Sequence, residues 1–342
     1  MIMKKNISLS LGVLLLLQSC VKNPLSGPDD TYAFRMPDYF PEPTYTFANN
    51  PITREGFTLG KKLFNDPLLS SDNSIACSNC HVKSVAFTDP QHRLSLGVDE
   101  RAGIRNAPSI VNMAFMPEFF WDGGVNHLDF VAINAIENPL EMNEKLGHVI
   151  AKLNDDPDYP ALFRKTFGIQ DTITSPYFLH ALSQYMLLLV SDRSKYDMVQ
   201  QNKATFTAAE FAGQSVFENK CSSCHPAPLF TTYDYTNNGL DTAFEDLGRG
   251  RITEATMDQG KFKIPTLRNV ALTSPYMHDG RFKTLDAVLE HYDQHMVLSP
   301  SLDPLFLQSD PPGIRLTADE KEQLKAFLQT LTDYELLKDP IF

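Results

Sequence analysis

Two short motifs with the same spacing could carry redox chemistry in this chain. Residues 77–81 read C-S-N-C-H and residues 221–225 read C-S-S-C-H. In such a motif the two thiols can add to the vinyl groups of a haem, and the histidine next to them can ligate the iron from one face. The sequence therefore predicts two covalently bound haem c groups. The predicted attachment residues are Cys77, Cys80, Cys221 and Cys224, and the predicted iron ligands are His81 and His225.

Two other chemistries use cysteine pairs of this kind. A structural zinc site can be built from two Cys-x-x-Cys pairs, but those pairs usually lie ~15–20 residues apart, whereas 144 residues separate Cys77 from Cys221. A redox-active dithiol needs only one pair, and it does not explain the histidine that follows both pairs. Haem attachment is therefore the favoured interpretation.

Length and composition indicate an ordinary globular protein with room for two haem-binding units. At about 150 residues per domain, 342 residues predict about two domains. The chain is 42% hydrophobic and 21% charged, which argues against disorder. The 42 acidic residues exceed the 30 basic ones, giving a net charge of −12, and this balance argues against nucleic acid as a partner.

The first twenty residues resemble a bacterial lipoprotein signal. Lys4 and Lys5 precede a short apolar run, Leu11–Leu17, and Cys20 follows it at the position that becomes lipidated. The run is shorter than the ~20 residues that span a bilayer. Gln18 is an imperfect match to the small residue usual at that position, so ordinary secretion is the alternative. Either route predicts a protein that works outside the cytoplasm, and the lipoprotein route predicts a periplasmic protein that contacts the membrane only through a lipid anchor.

The remaining sequence predicts helices joined by long loops. Prolines in residues 21–50 predict a tether along the surface. Helices are predicted over Thr53–Phe64 and Thr207–Asn219, each leading into one cysteine motif, which suggests a duplicated unit. No alternating strand pattern is evident. Further helical patterns cover Leu128–Ile136, Lys145–Leu153, Pro160–Phe167, Pro176–Val190, Leu285–Tyr292 and Thr317–Leu331.

Over residues 50–335 the chain resembles the bacterial dihaem cytochrome c peroxidase and MauG family. The resemblance implies an all-α fold of two cytochrome c-like haem domains facing each other. It implies a peroxidatic domain at residues 51–200 and an electron-transfer domain at residues 201–342. The motifs are Leu59–Phe64 (L-G-K-K-L-F), Arg105–Ser109 (R-N-A-P-S), Phe120–Gly123 (F-W-D-G), Asn138–Met142 (N-P-L-E-M), Ile264–Asn269 (I-P-T-L-R-N) and Pro275–Gly280 (P-Y-M-H-D-G).

The resemblance also implies roles for three residues near the first haem. Glu141 would be the acid–base group over the iron, and a carboxyl in a haem pocket can have a raised pKa. Trp121 would lie between the haems and carry electrons. His92 is a candidate ligand on the first iron. Without the resemblance, Glu141 would be interpreted as a surface or helix-capping glutamate, Trp121 as a core residue and His92 as a solvated loop histidine.

The sixth ligand of the second haem decides its chemistry. Tyr292, fourteen residues after His278, occupies the position at which MauG proteins carry a tyrosine and peroxidases a methionine. Met277 and Met296 are nearby thioethers and the alternatives. A tyrosine ligand favours oxidised iron, whereas a methionine raises the potential. A core tyrosine without a ligand role is the remaining alternative.

The resemblance further implies groups that surround the haems. Asn106, Thr273 and Pro275 match positions at which the family holds calcium through oxygen atoms, the bland alternative being an asparagine that caps a turn. Arg105 and Arg268 are candidate partners of haem propionates.

Three functions remain open from the sequence. The first is a peroxidase that reduces hydrogen peroxide to water with electrons from a small cytochrome c or cupredoxin. The second is a MauG-like oxidase that acts on a protein or organic substrate through a high-valent dihaem state. The third is a dihaem electron carrier without turnover, against which Glu141 and Trp121 argue. The resemblance also implies that the chain can form a homodimer.

Overall fold

The computed structural model describes residues 32–342, and they form a predominantly helical fold. Among these residues, the only sheet has two antiparallel two-residue strands, β1 (Tyr235–Thr236) and β2 (Phe262–Lys263). The all-α prediction is confirmed apart from this small sheet. The α-helices are α1 (Arg54–Phe64), α2 (Cys77–Cys80), α3 (Val131–Glu137), α4 (Leu146–Asp155), α5 (Tyr159–Phe167), α6 (Ser175–Leu187), α7 (Lys195–Gln200), α8 (Ala208–Lys220), α9 (Gly250–Thr253), α10 (Leu285–Glu290), α11 (Ala318–Gln329) and α12 (Tyr334–Lys338).

Shorter helical turns connect these elements. A π-helical turn, His291–His295, follows α10 directly, so the helix predicted to continue to Tyr292 changes its geometry after Glu290. Turns of this kind are frequent at functional sites. The 3₁₀ turns are Phe47–Asn49, Pro67–Leu69, Lys83–Val85, Val98–Glu100, Met113–Phe115, Leu128–Phe130, Thr256–Asp258 and Pro304–Gln308.

The two helices that lead into the cysteine motifs begin at threonine caps. The Thr53 hydroxyl accepts a hydrogen bond from the Gly56 amide at the start of α1. At the start of α8, Thr207 and Glu210 form a reciprocal capping box. Both caps satisfy backbone amides that the first helical turn leaves unpaired. The predicted starts of these two helices are therefore confirmed.

The same packing occurs twice, once in each half of the chain. α1 packs against α6, and α8 packs against α11. Both contacts depend on a glycine, because a Cβ atom on Gly60 would lie 2.0 Å from the Ala181 carbonyl oxygen and one on Gly213 would lie 1.9 Å from that of Gln323. Only glycine allows two helix backbones to approach this closely. This repeated contact supports the predicted duplication.

The hydrophobic core is divided mainly into two clusters. The first contains residues of α1 and α6, such as Leu63 and Leu182, and the second contains Phe217 of α8 and Phe327 of α11. The two halves are interlocked, because Leu336 from the C-terminal end of the chain packs in the first cluster.

Residues 32–50 differ from the predicted surface tether. Phe34, Phe40 and Tyr45 are buried in the first cluster. Asn50 is also buried, and its side chain accepts a hydrogen bond from Gln184 of α6. Burying aromatic side chains outweighs the preference of a proline-rich backbone for solvent. Residues 21–31, the predicted signal and Cys20 lie outside the described residues.

Between Tyr32 and Phe342 no helix combines the length and the apolar character that crossing a bilayer requires.

Candidate functional site

One cavity of about 980 Å³ runs between the two halves and is lined by both cysteine motifs. Because both motifs open into the same space, groups bound to them would be neighbours. The cysteines and histidines of both motifs all line it: Cys77, Cys80, His81, Cys221, Cys224 and His225.

Each motif histidine is oriented in the same way. The His81 Nδ1 atom lies 2.9 Å from the Phe87 carbonyl oxygen, and the His225 Nδ1 atom lies 3.1 Å from that of Phe230. A neutral imidazole must donate from Nδ1 to such an acceptor, which leaves Nε2 for iron. Burial lowers the pKa of His225 to about 4 and also lowers the pKa of His81. Both rings are therefore neutral near pH 7, as an iron ligand must be.

The cysteines fit haem attachment better than the two alternatives. Burial raises the pKa of Cys77 and of Cys221 to about 12, whereas reactive dithiols have lowered thiol pKa values. Within residues 32–342 no three His, Cys, Asp or Glu side chains are grouped so that they could hold a metal ion, as a zinc site would require. The donor set and the cavity fit two haem c groups.

A second repeat lies beside the motifs and was missed in the sequence. The Ser109 hydroxyl donates to the Ala86 carbonyl, and the Thr266 hydroxyl donates to the Leu229 carbonyl, both at 2.6 Å. Ala86 and Leu229 come directly before Phe87 and Phe230, whose carbonyls orient the two motif histidines. The bond therefore fixes the same position of the chain in each half. The signal was available, because residues 108–112 read P-S-I-V-N and residues 265–269 read P-T-L-R-N.

Trp121 lies where the two halves exchange backbone hydrogen bonds. The Lys263 amide donates to the Trp121 carbonyl, and the Asn106 amide donates to the His278 carbonyl, both at 2.7 Å. The Trp121 indole donates to the Asn106 carbonyl at 2.9 Å. His278 therefore occupies the position in the second half that Trp121 occupies in the first, and its ring stacks on Phe262 at 3.7 Å. Both Trp121 and His278 line the shared cavity.

Glu141 also lines this cavity, in the loop after α3. Burial raises the pKa of its carboxyl. A 2.7 Å hydrogen bond from the Asn138 side-chain amide (Nδ2) to that carboxyl opposes part of the rise. The loop is clamped from the other side, because the Val98 amide donates to the Glu141 carbonyl. A Cβ atom on Gly97 would lie 2.3 Å from that carbonyl oxygen. The Glu141 side chain is thus partly buried, held in place and part of the cavity lining, an arrangement that suits an acid–base group.

His92 lies apart from this arrangement. Its Nδ1 atom lies 3.1 Å from the Asp89 carboxylate, and its side chain is 40% exposed. It is not among the described residues that line the cavity. Ligation of the first iron by His92 stays a prediction that would require its loop to move.

Two of the three candidate ligands for the second haem face the cavity. Tyr292 and Met277 line it, whereas Met296 is not among the described residues that do. Met296 packs with Leu302 and Phe306 in an apolar cluster that Tyr292 also contacts. Burial raises the pKa of Tyr292 to about 12. The side-chain positions therefore favour Tyr292 and Met277 over Met296.

The two arginines expected to pair with propionates already have protein partners. Arg105 forms ion pairs with Asp246 and Asp122 at 2.6 and 2.7 Å. Arg268 forms a buried ion pair with Asp197 at 2.8 Å. Their guanidinium groups hold the two halves together through carboxylates of the chain itself.

The residues expected to hold calcium all line the same cavity. The Asn106 side-chain amide nitrogen (Nδ2) donates to the Arg93 carbonyl at 3.1 Å. The Thr273 hydroxyl lies 3.4 Å from the Val270 carbonyl oxygen. Oxygen donors of the amide and carbonyl type suit calcium. The calcium site itself stays a prediction.

Sequence comparisons identify relatives that cover most of the chain. A family model described as di-haem cytochrome c peroxidase matches residues 54–205. The methylamine utilization protein MauG of Methylorubrum extorquens is 34% identical over 303 residues, which cover 87% of this chain and 83% of the relative. The cytochrome c551 peroxidase of Nitrosomonas europaea is 33% identical over 294 residues, which cover 83% of this chain and 82% of the relative.

Solved structures share the fold. The crystal structure of a MauG-like protein associated with microbial copper homeostasis superimposes with a TM-score of 0.81 at 31% identity, covering 90% of this chain and 97% of that one. The diheme peroxidase BthA from Burkholderia thailandensis has a TM-score of 0.73 at 23% identity, covering 83% of this chain and 87% of the other. The second likeness concerns the fold alone.

Proposed function

This chain belongs to the di-haem cytochrome c peroxidase family, and from that premise we propose how its residues carry out the reaction. It is an oxidoreductase that reduces hydrogen peroxide to water with two electrons from a small cytochrome c or cupredoxin. The observation that carries the assignment of roles is the single cavity lined by both cysteine motifs, Glu141 and Trp121.

The two haem c groups would be held by the two motifs. Cys77 and Cys80 would form the thioether bonds of the first haem, with His81 as its ligand. The second haem would be held in the same way. When bound, the haems supply iron that exchanges single electrons. The residues for the second haem are Cys221, Cys224 and His225.

Glu141 would move the proton on the peroxide. As a carboxylate it accepts the proton from one peroxide oxygen, and as a carboxylic acid it returns that proton to the other oxygen as the O–O bond breaks. Burial favours the step, because it brings the pKa of the carboxyl closer to neutrality. Asn138 keeps the carboxyl in place through its hydrogen bond.

Trp121 would carry electrons between the two haems. Its carbonyl accepts a hydrogen bond from the Lys263 backbone amide in the second half. Its indole donates a hydrogen bond to the Asn106 carbonyl in the first half. The ring is therefore held at the junction, where an aromatic group can shorten the path between two irons.

A MauG-like oxidase is the second candidate, and Tyr292 favours it. This activity would withdraw electrons from a protein or organic substrate. A tyrosine oxygen bound to the second iron would stabilise oxidised states, and the Tyr292 side chain lines the same cavity as the second motif. The resting ligand of the second haem separates the two candidates.

Optical and EPR spectra of the dihaem protein test this choice. They would be recorded on the isolated and half-reduced forms, before and after stoichiometric hydrogen peroxide, for the wild type, Tyr292→Phe and Met296→Leu. We expect reduced cytochrome c to be consumed on adding peroxide. Met296→Leu is the control, because Met296 is not among the described residues that line the cavity.

The two outcomes are distinct. A methionine-type low-spin signal that is already present in the wild type and survives Tyr292→Phe, with consumption of the donor, supports the peroxidase. Loss of the second haem's signature in Tyr292→Phe supports the MauG-like oxidase if the wild-type diferric protein also forms a long-lived oxidised species. A protein that does not react with peroxide in either redox state would be an electron carrier.

Removing the Asn138 hydrogen bond should shift the pH dependence of turnover. The bond stabilises the Glu141 carboxylate, so Asn138→Ala should raise the pKa of that carboxyl further. The active carboxylate exists above its pKa and is lost as the pH falls. The acid limb of kcat/KM should therefore move to higher pH, with at least a few-fold loss of rate on its acidic side. An acid limb that stays in place would show that Glu141 is not the titrating base.

Anchoring, calcium, assembly and the domain boundary complete the proposal. Lipidation of Cys20 would hold the mature protein at the periplasmic face of a membrane. Asn106, Thr273 and Pro275 would provide oxygen ligands for one calcium ion between the halves. Residues 51–200 would form the peroxidatic domain and residues 201–342 the electron-transfer domain. Two copies of the whole chain would form a homodimer.

A further inference from the structure

Asn238 lies between the two cavity-facing candidates for the sixth ligand of the second haem. Its Nδ2 atom is 3.4 Å from the Met277 sulfur and 3.3 Å from the Tyr292 hydroxyl oxygen. A carboxamide has two N–H hydrogens, so one side chain can donate to both atoms at once. The sulfur and the oxygen are thereby held close to each other at one end of the cavity.

The position of Asn238 is fixed by the chain around it. The His291 Nε2 atom donates to the Asn238 carbonyl at 2.9 Å, which ties Asn238 to the residue before Tyr292. The preceding residue, Asn237, is buried, and its amide contacts the Ser301 hydroxyl at 2.9 Å. The side chain of Asn238 is thus aimed by two contacts that do not involve its own amide.

Tyr292 is held from the other side. It lies in the π-helical turn His291–His295, and its carbonyl accepts a 2.8 Å hydrogen bond from the Ile314 amide. Met277 has a positive φ of 75° in the loop before His278. The two ligand candidates therefore come from separate segments of the chain, and only one of them can occupy one face of an iron.

The hydrogen bond is not equally strong to the two atoms. A thioether sulfur is a weak acceptor, and a tyrosine oxygen that carries negative charge on a metal is a strong one. When the tyrosine oxygen is the ligand, the Asn238 side-chain amide donates a hydrogen bond to a charged acceptor. When the methionine sulfur is the ligand, the same amide donates only to a neutral phenol, which is the weaker hydrogen bond.

We propose that Asn238 is a positioning residue that selects Tyr292 over Met277 as the sixth ligand of the second haem. This inference rests on the proposed second haem at His225 and on the second candidate function, the MauG-like arrangement in which Tyr292 is the ligand of that haem. It assigns the choice of ligand to a side chain outside the haem-attachment motifs. It also identifies Met277, rather than Met296, as the thioether that takes over when the selection is removed.

The test uses the holoprotein with both haems attached. We expect the wild type to lack the sulfur-to-iron charge-transfer band and Asn238→Leu to gain it, with a rise in the potential of the second haem. The double variant Asn238→Leu, Met277→Leu should lose the band again. The double variant Asn238→Leu, Met296→Leu is the matched control and should keep it.

Tyr292→Phe provides a second test that leaves Asn238 in place. Here Met277 should also become the ligand, and the band should disappear on adding Met277→Leu. The inference is overturned if the wild type already has the methionine band, if Asn238→Leu keeps the wild-type spectrum, or if the new band persists without Met277. Haem content and peroxide turnover of the wild type are measured alongside. A wild type without two haems or without turnover contradicts the proposed function, whereas two haems, normal turnover and an unchanged Asn238→Leu spectrum contradict this inference alone.

Discussion

Replacing Glu141 by glutamine should lower kcat/KM for hydrogen peroxide by about 10²- to 10⁴-fold, while both haems remain attached. Glutamine keeps the shape of the side chain and the contact with Asn138. It cannot take up a proton from one peroxide oxygen and return it to the other. The loss should therefore appear in the rate of peroxide reduction, and the haem spectra of the resting protein should change little.

Glu137→Gln is the matched control for this variant. Glu137 lies four residues earlier and its side chain is 40% exposed. Its carboxylate accepts a hydrogen bond from the Leu146 amide, which a glutamine oxygen can also accept. Steady-state oxidation of reduced cytochrome c would be measured for both variants. If Glu137→Gln loses as much activity as Glu141→Gln, the effect comes from the charge of the cavity and not from proton transfer by Glu141.

Replacing Arg268 by methionine should lower the free energy of unfolding by about 3–5 kcal/mol, because it leaves a buried carboxylate without its partner. The Arg268 and Asp197 side chains are both 0% exposed, and two hydrogen bonds of 2.9 and 2.8 Å join them. The arginine also donates to the Pro228 carbonyl and lies over the Phe40 ring. Its loss therefore affects contacts in both halves of the protein.

Denaturant unfolding of the holoprotein would measure this loss. The double variant Arg268→Met, Asp197→Asn should lose less than the sum of the two single variants, because removing both charges leaves neither one unpaired. Lys165→Met is the control at an exposed ion pair, where Lys165 and Glu55 lie 3.8 Å apart. That pair should contribute at most about 1 kcal/mol. Strictly additive losses would contradict the ion-pair explanation.

The helices that lead into the motifs were predictable because their signals are local. The threonine caps of α1 and α8 lie within one turn of the backbone amides they satisfy. The predicted helix over Leu285–Tyr292 was correct only to Glu290. Its continuation as a π-helical turn depends on distant contacts, such as the bond from the Ile314 amide to the Tyr292 carbonyl.

The burial of residues 32–50 could not be predicted from their composition. Prolines suggested a surface tether, but the rings of Phe34 and Phe40 pack against Phe115. Together with Tyr45 they are buried in the first hydrophobic cluster. Whether an aromatic residue in a proline-rich segment is buried depends on the surface available elsewhere in the fold. That surface exists only once the helices have packed.

The sequence by itself determined the two haem-attachment motifs, the helical class and the candidacy of Glu141 and Trp121, because these features rest on short spacings or on motifs of a few residues. The tertiary structure alone decided which candidates meet. It brings Asn106 to His278 and Lys263 to Trp121, and it places Asn238 beside Met277 and Tyr292. These contacts join residues that are 39 or more positions apart. The physical reason is that hydrogen bonds between distant segments depend on how the two halves pack, which no local spacing records.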